Sequence, residues 1–521
     1  MSAYRKSYRK GMIKVAIAYP SNARVALQSL SIHIIRKLLN EHPSVYSEFV
    51  FMSDDGRSVT KSLRDFDLVL FSVHYELDYP RILKMLEMSG INPLSEQRAS
   101  EDPLIVMGGP TLIANPEPMA PFADVILIGD AEVLIPELIN HYLEYGKDVE
   151  KYVDITGFYV PLLGKHAVIK AFVKDLSYSI RLIYDTAIEL STSSTGSVFS
   201  YPAVLEVMRG CPRGCLFCME GFVSRPVRFA DINSIKELII KDLSRNGKLI
   251  NGVSLIGLSV TDHPGFKELM GFLVNELGLS VSVPSLRVDT LNKDIIKLIA
   301  KGGQRVLTIA PESSERLRKV LGKGFTDDDI VRVAIDAMEV GIDHLKLYFM
   351  VGLPGETDED IKSIINLLQR LKRLGVQYSL SVNPWIPKPH TPLQWLPMAD
   401  DSVINERVKA LKELHTYVEF ATYNVLDAKV QALLSLGDRD VSNIIFEASL
   451  TSLDRGSWRR LLRKYGDLLN KYVYTWKPLN AELPWSHIKI PGAEEENLKS
   501  LLMKYINEVH INLSQMPGKY M

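Results

Sequence analysis

Three cysteines within eight consecutive residues carry the clearest chemical signal in the chain. Cys211, Cys215 and Cys218 are the only cysteines among 521 residues, and they lie in the segment RGCPRGCLFCMEG with the spacing C-x3-C-x2-C. They cannot form a disulfide framework, because pairing any two would leave an odd thiol. The cluster therefore favours an intracellular metal site.

Zinc, an iron–sulfur cluster and inert buried thiols are the three interpretations of this segment. Structural zinc sites usually have two pairs of ligands and no open position, and no fourth cysteine is present. Zinc is therefore the weaker metal choice. A 4Fe-4S cluster held by three thiolates would keep one iron without a protein thiolate, and that iron could bind a further ligand.

The cysteines directly follow the first of several predicted strands that alternate with helical patterns. Between residues 201 and 398 the strand candidates are VLEVM, GVSLIGLS, LSVSVPS, RVLTIAP, HLKLYFMVG and YSLSVNPW. Thr357 is the predicted N-cap of the helix that opens with TDED. Six β/α units predict a partial barrel, with the cysteines on a loop at the carboxyl end of its sheet.

The rest of the chain divides into four further segments. Residues 1–11 are a predicted flexible extension, and 12–154 form a predicted doubly wound parallel-sheet α/β domain with the strands KVAIAYP, DLVLFSVH, PLIVMGG and ADVILIGD. Residues 155–200, which contain STSSTGS, read as a linker with short strands, and 399–521 as a mostly helical C-terminal domain.

Composition gives no global signal for a charged partner. Lys and Arg total 61 against 62 Asp and Glu, and 46% of the residues are hydrophobic. This balance is that of a globular protein and selects neither for nucleic acid nor for an anionic membrane. No apolar run approaches the ~18 residues of a membrane helix, so a cytoplasmic location is expected.

The cysteine motif resembles that of the radical S-adenosylmethionine (SAM) superfamily, including the aromatic residue Phe217 before the last cysteine. The resemblance implies that the three cysteines bind a 4Fe-4S cluster whose open iron chelates the amino and carboxylate groups of SAM. One electron, from a donor such as a ferredoxin or flavodoxin, would cleave SAM to a 5′-deoxyadenosyl radical. The radical would abstract hydrogen from an unactivated C–H bond.

The resemblance also nominates residues that would contact SAM. The Gly-Gly-Glu stretch of the family is replaced here by GLSVTDH, which leaves polar candidates at Ser259, Thr261 and Asp262. SLRVD, APESSERL and GLPGETDED also match positions near SAM, although Glu312 could instead cap a helix and the glycines could form a tight turn. The nominated residues there are Arg287, Glu312, Ser313, Gly352 and Gly355.

A proline-rich loop follows the sixth predicted strand, in the segment NPWIPKPHTPLQW. It resembles the PKPHTP-type segment of a poorly characterised radical SAM family that also has an LPWSHI-like stretch near its C-terminus. Trp385, Lys388 and His390 are the residues of a predicted substrate loop.

The N-terminal domain resembles the cobalamin-binding domains of many radical SAM enzymes, through GGPTLIANPEPMAPFADVILIGDAE. The D-x-H-x-x-G motif that supplies a histidine to cobalt is absent, and His33 falls in a predicted helix. Three interpretations stay open: a cobalamin-free vestige, cobalamin bound without a histidine ligand, or a cover for the substrate channel. With cobalamin, methyl transfer would be the leading outcome.

A basic segment supports an alternative function. Arg455, Arg459, Arg460, Arg463 and Lys464 lie close together with Trp458 and Tyr465 between them. Such a pattern suits a radical SAM enzyme that modifies tRNA or rRNA, although a solvated helix face is the simpler interpretation. A non-catalytic iron–sulfur protein for electron transfer or sensing is the remaining alternative.

Overall fold

The computed structural model describes residues 6–177, 203–246, 251–284, 286–413 and 418–511. Part of the predicted N-terminal extension and half of the predicted linker, including STSSTGS, lie outside these ranges. The chain forms two compact units. Unit 1 comprises residues 1–202, 433–469 and 482–492, and unit 2 comprises residues 203–432, 470–481 and 493–521.

The described residues form the following strands and α-helices. The strands are β1 Ile13–Tyr19, β2 Val45–Phe51, β3 Leu68–Ser72, β4 Leu104–Gly108, β5 Val125–Leu127, β6 Phe158–Tyr159, β7 Val168–Ile169, β8 Ala203–Glu206, β9 Met208–Arg209, β10 Arg228–Phe229, β11 Gly252–Ile256, β12 Ser280–Ser282, β13 Val306–Glu312, β14 His344–Val351, β15 Tyr378–Pro384, β16 Phe420–Thr422 and β17 Ile488–Lys489. The helices are Ala23–Ala26, Leu30–Glu41, Tyr79–Met88, Pro110–Ala114, Ala131–Tyr145, Met219–Val223, Ile232–Asn246, Phe266–Gly271, Lys293–Lys301, Glu315–Val320, Asp327–Glu339, Asp358–Arg373, Asp401–Glu413, Val425–Leu436, Ser442–Ser449, Arg455–Lys464, Gly466–Leu469 and Glu495–Glu508.

Unit 1 is built on a sheet with the strand order β2-β1-β3-β4-β5-β6, parallel except for β6. The predicted doubly wound α/β fold is confirmed. Two of its strands were not predicted: β2 (VYSEFVF) interrupts its hydrophobic pattern with polar residues, and β6 is only two residues long. In a sheet of this order the switch point, where ligands usually bind, lies between β1 and β3.

A buried carboxylate lies at the centre of unit 1. Glu117 is 0% exposed, and it accepts hydrogen bonds from the Tyr159 hydroxyl at 2.5 Å and from Arg439 Nε at 2.7 Å. His487 Nε2 lies 3.2 Å from the same carboxylate. These partners lower the pKa of Glu117 to about 2 although burial opposes the shift. Arg439 and His487 thereby attach two distant chain segments to the domain.

The segment predicted as a separate C-terminal domain, 399–521, divides between both units. It is mostly helical, as expected, but it also supplies β16 to unit 2 and β17 to unit 1, where β17 pairs with β7. Both strands are very short, which explains why no periodic pattern marks them. The domain boundaries given above for the sequence stay a prediction.

Unit 2 contains the partial barrel. All six predicted strands are present, in parallel sheets of order β12-β11-β8 and β13-β14-β15-β16. A parallel bridge between Leu286 and Ile309 connects the two sheets. A further strand, β16, which was not predicted, pairs with β15.

Helix caps in unit 2 follow the sequence signals. The helix Asp358–Arg373 begins after Thr357, whose side chain forms a capping box with Asp360, as predicted. Within the described ranges no helix is long and apolar enough to cross a membrane.

Candidate functional site

The cysteine loop follows β8 at the carboxyl end of its sheet. After β8 the chain forms β9, which pairs antiparallel with β10, and Gly210 then turns it with a φ of +81°. A side chain at Gly210 would place its Cβ 2.8 Å from the Pro226 carbonyl oxygen. Only glycine fits this turn without strain, so the local backbone fixes where the three thiols begin.

The three thiols lie close enough to influence one another electrostatically. The pKa of Cys218 is raised to about 12, chiefly by burial and in smaller part by the neighbouring Cys215 and Cys211. The pKa of Cys211 is also raised, first by burial and in part by Cys215. Binding to a metal would be needed to hold such thiols as thiolates at neutral pH.

This arrangement suits a cluster better than a single ion. Among the described residues, no group of three or more His, Cys, Asp or Glu side chains is placed to hold one metal ion. In a cubane each thiolate binds a different iron, so the sulfurs need to surround the cluster but not to meet at one point. The half-buried, mutually interacting thiols fit that requirement.

Arg213, between the first two cysteines, ties their loop to the loops after β11 and β12. Its Nε donates to Asp262 Oδ2 at 2.9 Å, and its Nη1 donates to Asp289 Oδ2 at 3.2 Å. Ser259 also donates to Asp262 Oδ2, at 2.5 Å. The hydrogen bonds that Arg213 donates to Asp262 raise the pKa of Arg213 above its usual range. One guanidinium thus fixes three consecutive strand ends.

Arg287 brings a second positive charge to the sulfurs. It donates from Nε and Nη2 to the two oxygens of Asp289, at 3.0 and 2.9 Å. Its Nη1 lies 3.7 Å from Cys215 Sγ. At this distance the guanidinium can donate a weak hydrogen bond to the sulfur.

The other side of the cysteine loop packs on the chain after β13. The Leu216 backbone N–H donates to the Leu321 carbonyl at 3.0 Å. Lys323 Nζ lies 5.8 Å from the centre of the Phe217 ring and donates to Glu312 Oε1 at 2.7 Å. Phe217 and Glu312 are therefore linked through one lysine.

Glu312 and Ser313 occupy an irregular strand end. The register of β13 shifts between Ile309 and Glu312, and Glu312 has a φ of +67°, which is strained for a residue other than glycine. Ser313 is 0% exposed, and its Oγ has no hydrogen-bond partner in the part of the chain that the structure describes. A buried hydroxyl of this kind can accept a hydrogen bond from a ligand or donate one to it, and a contact of Ser313 with SAM stays a prediction.

Most of the nominated residues are thus gathered around the cysteine loop. Arg287 contacts Cys215 directly, and Ser259 and Glu312 connect to the loop through one further residue each. Thr261 accepts a hydrogen bond from Thr290 at 2.7 Å. The sequence did not predict roles for Arg213 and Lys323, because their partners are distant in the chain. The only signal for Arg213 was a cation between two cysteines.

Two nominated glycines pack against protein. A Cβ at Gly352 would lie 3.1 Å from Ile404, and one at Gly355 would lie 2.9 Å from Val509. Both have positive φ values, so their local role is the tight turn that the sequence also allowed.

The predicted substrate loop is largely buried within unit 2. Trp385 and His390 are buried and Lys388 is half-buried, so the loop does not present these side chains freely to solvent. His390 has a φ of +55°, and its backbone N–H donates to Gln394 Oε1 at 2.7 Å. Four prolines and these contacts make the loop rigid.

The switch point of the unit 1 sheet carries a different polar group. His74 follows β3, stacks on Tyr19 at the end of β1, and places Nε2 3.0 Å from the hydroxyls of Ser31 and Ser72. Burial lowers the pKa of His74 to about 4, so the imidazole is neutral at physiological pH. His33 lies in a helix, as predicted, with Nε2 2.7 Å from the Leu27 carbonyl.

Comparison with known proteins agrees with these features. Residues 31–161 match the family model described as "Radical SAM proteins, N-terminal", and residues 205–368 match that of the "Radical SAM superfamily". An uncharacterized protein of Methanocaldococcus jannaschii is 32% identical over 460 residues, which are 87% of this chain and 96% of that protein.

Two more distant similarities bear on chemistry and fold. A tRNA-2-methylthio-N(6)-dimethylallyladenosine synthase of Neorickettsia sennetsu is 22% identical over 227 residues, which are 41% of this chain and 47% of that protein. The structure of the radical S-adenosylmethionine methyltransferase TsrM from Kitasatospora setae, with cobalamin and a [4Fe-4S] cluster bound, aligns with a TM-score of 0.51 at 11% identity. That alignment covers 88% of this chain and 99% of TsrM, and at this identity it shows the shared fold alone.

Proposed function

Because this chain belongs to the radical SAM superfamily, we propose that Cys211, Cys215 and Cys218 hold the 4Fe-4S cluster of an enzyme that acts on an unactivated C–H bond. When bound, the cluster and SAM supply a 5′-deoxyadenosyl radical that abstracts the hydrogen. The observation that carries the proposal is the set of three interacting thiols on one loop, fixed by Arg213 to two neighbouring strand ends.

The cations around the loop would tune and hold the cluster. Arg287, 3.7 Å from Cys215 Sγ, would donate a hydrogen bond to a sulfur that holds the cluster. Charge and hydrogen bonds near the sulfurs also set the reduction potential of such a cluster. We propose that the electron comes from a ferredoxin or flavodoxin, and that the enzyme acts in the cytoplasm.

The polar groups beside the loop would hold SAM. Ser313 offers a buried hydroxyl without a described partner, and Glu312 offers a carboxylate oriented by Lys323. Ser259 and Thr261 lie after β11, in the place of the Gly-Gly-Glu stretch of the family. These four side chains would orient SAM and exclude water from the reacting centre.

Methyl transfer is the proposed outcome if unit 1 binds cobalamin. Its fold supports this extension, because TsrM has the same fold and is a methyltransferase with cobalamin bound. Its residues do not match the usual ligand set: the D-x-H-x-x-G motif is absent and His33 bonds to its own chain. We therefore propose that any cobalamin is held without that histidine.

Anaerobic reconstitution of the full chain tests the proposal. We expect about four irons and four sulfides per chain and formation of 5′-deoxyadenosine on reduction with SAM. Cys215→Ala should lose the cluster while keeping the far-UV circular dichroism of the wild type. A full cluster in Cys215→Ala would refute the ligand assignment. A cluster without 5′-deoxyadenosine would favour a non-catalytic electron-transfer or sensing protein. Visible spectra with and without added cobalamin test separately whether unit 1 binds cobalamin.

Modification of RNA is a second candidate, supported by the tRNA-modifying relative. The helix Arg455–Lys464 exposes Arg459, Arg460 and Arg463, but it buries Trp458 among apolar residues. The interleaved tryptophan is therefore not available for stacking on a base, which favours the solvated-face interpretation. Salt-dependent binding of tRNA to the reconstituted protein, lost in Arg459→Ala/Arg463→Ala, would support this candidate.

A further inference from the structure

The proline-rich loop after β15 and the segment 470–477 are joined by backbone hydrogen bonds, and both carry buried hydrogen-bond donors without described partners in unit 2. The Met398 N–H donates to the Val473 carbonyl at 2.9 Å, and the Lys477 N–H donates to the Trp395 carbonyl at 3.0 Å. Because β8 and β15 are parallel strands of one barrel, their carboxyl ends lie at the same edge. The loop therefore begins on the edge that carries the cysteines.

Lys477 is a buried cation without a partner. Its residue is 8% exposed, and its Nζ forms no hydrogen bond or ion pair with any described residue. An isolated buried ammonium is strongly unfavourable, and burial lowers the pKa of Lys477 to about 7. At neutral pH the group is therefore poised between the charged and the neutral form, and a negatively charged neighbour would make it fully charged.

Two tryptophans on the same loop are also without acceptors. Trp385 and Trp395 are 2% and 0% exposed, and neither indole Nε1 has a hydrogen-bond partner among the described residues. An indole N–H and an ammonium are donors only, so all three groups require an acceptor that these residues do not supply. Most buried polar groups in proteins are paired, which makes three unpaired donors on two adjoining segments unusual.

We propose that Lys477 and the indole N–H of Trp395 bind an acidic group, a carboxylate or a phosphate, on the substrate. This inference rests on the proposed function, because it specifies the class of substrate for the same barrel. The ammonium would form an ion pair with the acidic group and the indole would donate to a second oxygen. Because both side chains are buried, they suit the end group of a small molecule better than the backbone of a nucleic acid.

Competitive acetylation of the full, reconstituted protein without SAM tests the proposal. The labelling rate of Lys477 is measured by mass spectrometry in sodium chloride, sodium phosphate and sodium acetate at matched ionic strength. Protection by phosphate indicates a phosphate-bearing substrate, and protection by acetate indicates a carboxylate. We expect about tenfold protection at ten times the dissociation constant. Lys409, whose side chain is 74% exposed, is the internal control and should label equally in all three salts.

The variant Lys477→Met provides a second measurement. Its melting temperature without phosphate or acetate should exceed that of the wild type, because an apolar side chain replaces an unpaired buried amine. The stabilisation by the protecting anion should be lost in this variant. Equal labelling of Lys477 in all three salts, or an unchanged anion-dependent shift in Lys477→Met, would overturn the proposal. If Lys477→Met fails to fold, labelling of the wild type still decides.

These measurements are independent of the radical reaction. Protection of Lys477 in a protein that makes no 5′-deoxyadenosine would refute the proposed function and keep the acidic-group site. Formation of 5′-deoxyadenosine without protection of Lys477 would support the proposed function and refute the acidic-group site.

Discussion

Buried polar groups of the two units differ in their pairing between Glu117 in unit 1 and Ser313 and Lys477 in unit 2. In unit 1 the carboxylate of Glu117 is surrounded by donors from Tyr159 and Arg439. In unit 2 the Oγ of Ser313 and the Nζ of Lys477 are buried without partners among the described residues. A polar group with its partners in place stabilises the fold, whereas one without them is a cost that a ligand can remove.

The comparison separates stability from function within one chain. Both units place parallel strand ends at an edge where ligands commonly bind, and within the described ranges the thiols, Arg213, Arg287 and the Ser313 hydroxyl lie at the edge of unit 2. The chemistry of the side chains, more than the fold, therefore distinguishes the two edges. Four predictions test this contrast.

Removal of the central carboxylate of unit 1 should have the largest effect on stability. Glu117→Gln is expected to lower the free energy of unfolding by about 3 kcal/mol at pH 7. Since the folded pKa of Glu117 is about 2, its stabilisation is complete above the unfolded value near 4.5 and is lost as the pH falls toward 2. Urea denaturation between pH 3 and 7 measures both effects.

Glu137, whose side chain is 50% exposed in the same unit, supplies the control. Glu137→Gln should change stability by less than about 0.5 kcal/mol. An equal effect of the two variants, or an unaltered pH dependence in Glu117→Gln, would contradict the assigned role.

Loss of the Arg213 guanidinium, which holds the cysteine loop, should have the next largest effect on the free energy of unfolding. Arg213→Ala would remove two hydrogen bonds from the carboxylate of Asp262, at a cost of about 2 kcal/mol. We also expect faster bleaching of the cluster in air, because the loop would be held less firmly. Urea denaturation and visible absorbance measure the two effects.

The matched control is Lys267→Ala, which removes an exposed ion pair with Asp294. Such pairs contribute about 0 to 1 kcal/mol, and cluster lifetime should not change. If both variants bleach at the rate of the wild type, Arg213 does not position the loop.

A buried carboxyl group of unit 2 should show the opposite pH dependence from Glu117. Burial raises the pKa of Glu356 to about 7, so the folded state retains a proton that the unfolded state releases near pH 4.5. Stability is therefore lost as the pH rises from 4.5 through 7. Glu356→Gln should be about 1 kcal/mol more stable than the wild type at pH 8 and no more stable at pH 4.

Melting temperatures across this pH range provide the measurement. The control is Glu359→Gln, three residues further along the chain, at a side chain that is 79% exposed. This variant should follow the wild-type curve. A Glu356→Gln variant that is less stable at pH 8 would show that the ion pair with Arg407 outweighs burial.

The smallest effect on stability is expected for two adjacent serines, which should differ in ligand binding. Ser313→Ala removes an unpaired hydroxyl, so stability should change by less than about 0.5 kcal/mol, while SAM affinity falls by about three- to tenfold. Ser314 accepts from the Leu317 N–H and donates to Asp360 at 2.5 Å. Ser314→Ala should therefore lose about 1 kcal/mol with unchanged SAM affinity. Calorimetric titration with SAM measures the affinities, and reversed results would remove Ser313 from the site.

The sequence predicted the elements that have strong local patterns. The six barrel strands have dense apolar runs, and Thr357 with Asp360 carries a complete capping signal, so both could be read directly. The strands β6 and β16 are too short for any period, and β2 mixes polar with apolar residues. Tertiary pairing, not local preference, determines these strands.

The site was predictable where its residues are adjacent in sequence. The three cysteines can be recognised from their spacing. Arg213, in contrast, positions the cysteine loop through Asp262 and Asp289, which lie 49 and 76 residues away in the chain. Lys477 lies in a segment without a motif and becomes notable only through its burial. Such roles depend on long-range packing, which one sequence does not encode in any local window.

The way the chain returns to unit 1 has a consequence for its biosynthesis. The first 202 residues leave the ribosome well before Leu433–Leu469 and Glu482–Gly492, which complete the same unit. Arg439 and His487 therefore reach Glu117 late in translation, and the usual order, in which an N-terminal domain folds first, is reversed in part. A chain that ends at residue 432 should consequently contain an incomplete unit 1 that depends on chaperones.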